Sequence, residues 1–254
     1  MANPKDEKNV FFDINKLPAE KGLLVVGVSM NRMDHGGESS KDCLEFARNF
    51  MPKLSKPLVG FNLLYTDFLY LYNEDRPASM MKNSFMNMVI RHKNSFQGFI
   101  EKNYMEFQIQ NAFNYTVWNQ LYVGTNNFSD LFSDLKKIYQ KDEVFQEYIK
   151  EDCKTFNVSF DENHINFFLE ESLMTYFLTH NKAKINNEFI NNHQKWLLIC
   201  YPGKTPKSVI YLYQLNPFKF SWDENPYSRA WYDLSEKKII EFDRVDLETY
   251  KVRE

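Results

Sequence analysis

Leu23-Leu24-Val25-Val26-Gly27-Val28, followed by Ser29, is a continuous apolar run rich in β-branched residues. Half-buried strands alternate apolar with polar side chains, and strands covered on both faces do not. The run therefore reads as an inner strand of a parallel sheet. Outward from it the chain turns polar through Gly36-Gly37, a loop. Ser39 or Ser40 then caps a helix to about Met51, with Cys43, Leu44, Ala47, Phe50 and Met51 on its inner side. Pro57 precedes a second strand from Leu58 to about Tyr65. Strand, loop, helix and strand in this order form a βαβ unit, which predicts an open α/β sheet.

Further along, Pro77 suits the first turn of a long helix running to about Lys102. Residues 107–123 fit no single element, with a strand within Tyr115 to Val123 as one option, and helices are expected at 127–140 and 143–156. The segment 163–179 is apolar on most sides and reads as a buried helix. Trp196-Leu197-Leu198-Ile199-Cys200-Tyr201 is another core strand, ended by Pro202-Gly203. The last thirty residues are charged and aromatic and assign no element. No boundary stands out, so residues 1–254 are expected to form a single domain.

Composition narrows the classes. With 254 residues, 43% hydrophobic and 17% aromatic, the chain can bury a proper core. The formal net charge of −3 argues mildly against a protein that clasps nucleic acid over a wide surface. Cys43, Cys153 and Cys200 have no metal-ligand or redox spacing and read as small core residues. The charged start has no apolar stretch of a signal peptide, and no apolar run approaches the ~20 residues of a membrane span. A cytoplasmic protein without membrane association is expected.

Four features carry chemistry. Ser29 lies where open α/β sheets place ligands, beyond the carboxyl end of a strand, but a loop serine bonding to nearby backbone reads the same way. Asn31 stands where a hydrolase elbow needs glycine, and neither Gly-x-Gly-x-x-Gly nor a P-loop occurs. Glu171 shares a helical stripe with His164, Phe167, Phe168, Met174, Thr175 and Leu178, whereas Glu170 turns toward Asn163 and Asn166, a wetter side. A carboxylate on that stripe either makes a structural ion pair or holds a substrate amine. Tyr201, at a strand end, is a packing residue or a proton relay. Lastly, no Asp or Glu occurs from Arg76 to Ile100, where Arg76, Lys82, Arg91 and Lys93 form a basic stripe. Lys82 and Lys93 project on one side of a helix, and Arg91 and Lys102 on another. Such a face is either simply solvated or contacts phosphates.

Taken in order, Gly27-x-Ser29 on a first strand, a basic long helix, Glu171 on a buried helix and Tyr201 on a late strand resemble the cyclodipeptide synthase family, over about residues 22–215. The family's helix carries Tyr-x-x-x-Glu, matched here by Phe167 to Glu171 with Phe in the tyrosine place. Tyr201-Pro202 resembles the subfamily with proline after the late tyrosine, and Arg32 agrees with it, since that subfamily lacks a fixed Asn three residues after the serine. The resemblance implies a single Rossmann-like α/β domain with a mostly parallel sheet flanked by helices, similar to class I aminoacyl-tRNA synthetase catalytic domains. It implies two aminoacyl-tRNAs as substrates, a monomer, and no metal or organic cofactor. Ser29 would be acylated, Glu171 would bind the first amine, and Tyr201 would position substrate and relay a proton. Val25, Gly27, Met174 and Ile199, with Phe167, would form the first aminoacyl pocket. Lys82, Arg91, Lys93 and Lys102 would contact tRNA. Two other classes stay open: a noncatalytic RNA-binding α/β protein, and a serine acyltransferase or esterase. The second needs a histidine base, and His35, His92, His164, His180 and His193 offer no telling context.

Overall fold

A computed structural model of the protein describes residues 22–30, 33, 41–43, 58–73, 78–102, 113–180, 182–183, 196–201, 204–220, 230–233, 238–249 and 251–252. The apolar run forms β1 (Gly22–Val28), and Leu58–Tyr65 forms β2, paired with it in parallel. The expected βαβ unit is present at both strands; of its helix, residues 41–43 are helical and the remainder lies outside the described residues. Then come a 3₁₀ turn (Leu69–Asn73), the long helix α1 (Ala78–Lys102) and β3 (Phe113–Val117). Helices α2 (Trp118–Gly124), α3 (Phe128–Lys141), α4 (Glu143–Thr155) and α5 (Glu162–Thr179) follow. They lead to β4 (Trp196–Tyr201), α6 (Lys207–Leu215), β5 (Ala230–Asp233) and β6 (Lys238–Glu241).

From Phe113 on, the stretch that fits no single element resolves into two: the strand ends at Val117 and α2 begins at Trp118. Aromatic and β-branched composition favours a strand, but the Trp118 amide donates to Asp67 Oδ1 at 2.8 Å and Gln120 Oε1 accepts from the Val117 amide at 3.2 Å. Two amides at the turn are thereby satisfied, which starts the helix.

The six-stranded sheet has the order β3-β2-β1-β4-β5-β6, parallel except for β6. From β1 the chain runs outward through β2 and β3 on one side, and through β4 and β5 on the other. The order is Rossmann-like, and its switch point lies between β1 and β4. Helices flank both faces, and strand alternation tells them apart. Val25 and Leu64 belong to the core cluster that includes Phe167, Met174 and Leu178 of α5. Tyr65, on the opposite face from Leu64, bonds through its hydroxyl to His92 Nδ1 of α1 at 2.9 Å. Helix α5 therefore covers one face and α1 the other. Every residue of α5 from Phe167 to Thr179 is buried, as its all-round apolar sequence predicts. Cys43 and Cys153 are buried thiols, also as expected.

Candidate active site

Ser29 directly follows β1 and is 7% exposed. Its position is fixed by the residue before it. The Val28 carbonyl accepts from the Thr66 amide at 3.1 Å and from Thr66 Oγ1 at 3.2 Å, which ties the carboxyl end of β1 to that of β2. Val25 lies opposite Ile199 and Val26 opposite Cys200 across the switch point, so Tyr201 ends β4 one row beyond Val26, level with Gly27. Ser29 and the Tyr201 backbone thus meet at the carboxyl edge of the sheet, where doubly wound folds hold ligands. The side chains of Ile199 and Tyr201 lie outside the described residues, as do Arg76 and Pro202.

Val25, Gly27 and Ser29 alternate onto the face that α5 covers. Val25, Phe167 and Met174 share one core cluster. Glu171 lies four residues after Phe167 and three before Met174 on α5, and is 3% exposed. The structure therefore brings Val25, Gly27, Ser29, Phe167, Glu171 and Met174 to one side of the sheet. Phe167 packs edge-on against Tyr70 of the 3₁₀ turn, with ring centroids 5.5 Å apart.

Glu170 requires a correction. It does not face water: it is 6% exposed, accepting from Tyr72 Oη at 2.8 Å and from Trp118 Nε1 at 2.8 Å. Burial raises its carboxyl above the usual range, while the two hydrogen bonds and the charge of Lys136 oppose that rise. The carboxylate fastens α5 to the 3₁₀ turn after β2 and to α2. Angle around the helix misled because α5 is enclosed on every side, so no side is wet. Asp67, which caps α2, is likewise raised by burial, opposed by backbone hydrogen bonds.

Two further buried polar residues escaped the sequence reading. Asn62 interrupts the apolar strand β2, a signal visible in Phe61-Asn62-Leu63-Leu64. Asp152 of α4 accepts from the amides of Lys207 and Ser208, both at 2.8 Å, and so caps α6 from a neighbouring helix. Burial pushes its carboxyl up to about 6, against the pull of those bonds.

The basic residues are not part of this arrangement, because α1 lies on the other face. Lys82, Arg91 and Lys102 are exposed, while Met81, Phe85, Val89, His92 and Phe96 are buried. Lys93 is half-buried, with Nζ 4.7 Å from the centre of the Tyr115 ring. That cation–π contact holds the ammonium against the sheet. Among the described residues no helix is long and apolar enough to cross a membrane.

No protein-family model matches the chain, and no curated protein matches it in sequence. Solved structures do resemble it. A cyclodipeptide synthase from Staphylococcus haemolyticus is 13% identical, with 81% of this chain and 87% of that one covered at a TM-score of 0.52. One from Fluoribacter dumoffii is 14% identical, with 87% and 92% covered at a TM-score of 0.50. A third, from Mycobacterium tuberculosis, is described as demonstrating that cyclodipeptide synthetases are related to type I tRNA synthetases; it is 14% identical, with 77% and 78% covered at a TM-score of 0.47. At these identities the likeness speaks to architecture, and the chain has the Rossmann-like fold seen in solved cyclodipeptide synthases.

Proposed function

We propose that the protein is a tRNA-dependent cyclodipeptide synthase of the subfamily with proline after the late tyrosine, working as a single-domain cytoplasmic enzyme. The observation that carries this reading is Ser29 at the carboxyl end of β1, on the sheet face covered by the helix that bears Phe167, Glu171 and Met174. The fold likeness supports it.

In the proposed chemistry, Ser29 Oγ attacks the ester carbonyl of the first aminoacyl-tRNA. The Oγ–acyl bond forms, the ribose–acyl bond breaks, and the serine proton ends on the ribose oxygen. The free amine of the second aminoacyl-tRNA then attacks the seryl ester: the amide bond forms, the Oγ–acyl bond breaks, and the dipeptide is left esterified to the second tRNA. The dipeptide then passes to Ser29 as the second tRNA leaves, and the terminal amine of this dipeptidyl enzyme displaces the serine and closes the diketopiperazine.

 In atoms, the second amine takes the first acyl group from Ser29, the new dipeptide's ester to tRNA is then attacked by the freed Oγ, and ring closure returns the proton to Ser29. Glu171 would hold the first ammonium by a charge-assisted hydrogen bond, and Tyr201 would position substrate and relay the proton. Val25, Gly27, Phe167, Met174 and Ile199 would form the first aminoacyl pocket. Lys82, Arg91 and Lys102 on α1, with Lys93 beside them, would meet tRNA phosphates while the 3′ end passes over the sheet edge. Helix α1 is 25 residues long, hence about 37 Å, a span suited to several phosphates.

The test is to incubate pure protein with aminoacylated tRNA and look for cyclic dipeptides by mass spectrometry, with Ser29→Ala as control. The expected result is product and a covalent aminoacyl-enzyme in the wild type, and neither in a folded Ser29→Ala protein. RNA binding without product would favour the noncatalytic reading, and product from Ser29→Ala would end the covalent one.

A further inference from the structure

Asn62 sits in the middle of β2 and is 2% exposed. Its Oδ1 accepts from Thr116 Oγ1 of β3 at 3.2 Å, which turns the amide so that Nδ2 points away from that strand's hydroxyl. Nδ2 has no hydrogen-bond partner among the described residues. A buried donor left without an acceptor destabilises the fold, and leucine or valine would fill the same sheet position without that cost. A group of this kind needs a physical reason.

Its place supplies one. Asn62 is opposite Val25 in the β1–β2 register and, two residues before Leu64, is on the face covered by α5. Val28 is opposite Tyr65, so Ser29 is level with Thr66, four residues further along the strand than Asn62. At ~3.3 Å per residue the two rows are about 13 Å apart. Allowing ~2.9 Å for a hydrogen bond leaves roughly 10 Å between Ser29 Oγ and an acceptor atom bonded to Nδ2. An aminoacyl group on Ser29 covers most of that distance only with a long side chain. Serine, threonine and asparagine stop short, and among side chains that end in an accepting atom tyrosine reaches furthest.

We propose that Asn62 is a specificity-determining residue: its Nδ2 donates to an acceptor at the far end of the first aminoacyl side chain, selecting a long side chain ending in a phenol or amide oxygen. This rests on the cyclodipeptide synthase reading above. A site that offers a buried donor discriminates against the analogue lacking the acceptor, because the donor is then left unpaired.

The experiment offers equal amounts of Tyr-tRNA and Phe-tRNA to wild type, to Asn62→Leu, and to Asn62→Leu/Thr116→Val, and counts cyclic dipeptides by mass spectrometry. The double variant removes both partners of the Asn62–Thr116 bond, so no buried hydroxyl is left without its acceptor should the single variant be unstable. Wild type is expected to favour tyrosine over phenylalanine by at least about tenfold, and the leucine variants to lose that preference. Equal tyrosine-to-phenylalanine ratios in wild type and variants, or a wild type that prefers phenylalanine, overturn the inference and leave the proposed function standing. Folded wild-type protein that makes no cyclic dipeptide from any charged tRNA overturns both.

Discussion

Helices α1 and α5 lie on opposite faces of one sheet and solve opposite problems. Helix α1 has a single buried stripe, Met81, Phe85, Val89, His92 and Phe96, and sends Lys82, Arg91 and Lys102 into water. Helix α5 is enclosed from Phe167 to Thr179 and carries Glu170 and Glu171 inside. Charge on α1 costs little and acts at a distance; charge on α5 is desolvated and must be held by specific donors. The difference teaches where to look for each kind of role: affinity for a polyanion on the first helix, positioned chemistry on the second.

The sharpest way to break this contrast is Glu170→Ala. It leaves the Tyr72 hydroxyl and the Trp118 indole without their acceptor and opens a cavity, so a loss of about 4 kcal/mol in unfolding free energy is expected by urea denaturation. Glu170→Gln should lose far less. Its oxygen accepts from Trp118, which can only donate, and its amide donates to Tyr72, which can turn and accept. A Glu170→Ala protein as stable as wild type would show that the carboxylate is not a clamp.

Asp152 of α4 is another buried carboxylate, and pH reads it. Its folded value of about 6 is above the ordinary 3.8. The fold therefore holds this proton more tightly than the unfolded chain does. The resulting stability is full below about pH 4 and is lost as pH rises through 6, by about 3 kcal/mol for a shift of this size. Comparing Asp152→Asn with wild type across pH 4–7 should show a gap that changes over that window. A gap independent of pH would remove the argument.

On the other face, reversing Lys82, Arg91 and Lys102 to Glu should leave the melting temperature within a few degrees, since all three are exposed. Binding to tRNA should fall about thirtyfold, or ~2 kcal/mol, and its salt dependence should flatten because fewer counterions are released. Unchanged affinity and salt slope would move the tRNA surface elsewhere. The smallest expected effect is Glu171→Gln. It keeps the volume, so the melting temperature should hold, while cyclic dipeptide yield falls about tenfold through loss of the charge-assisted bond. A large stability loss with normal yield would make Glu171 a structural group.

The two helices also show what could be read from sequence. Strands β1 and β4 were legible because buried parallel strands are continuous apolar runs, β2 because Pro57 sets off a largely apolar stretch, and α1 because Pro77 suits a first helical turn. The order of Ser29, Glu171 and Tyr201 suggested the fold that the structure has. The burial of Glu170 was not legible, since its donors Tyr72 and Trp118 come from other elements. The start of α2 depended on Asp67, and α6, unassigned from sequence, on Asp152. In each case one polar side chain from a distant part of the chain decided a local outcome, and periodicity carries no such information.

The Glu170 clamp also has a consequence in time. Its donors are 98 and 52 residues upstream of it in the chain. At ~5–20 residues per second on a ribosome, Tyr72 emerges roughly 5–20 s before its acceptor exists. During that interval the first half of the sheet can form, but the 3₁₀ turn and α2 keep their donors in water. The fastening of α5 is thus a late event in synthesis, and the amino-terminal half is laid down first as the surface on which the rest of the protein closes.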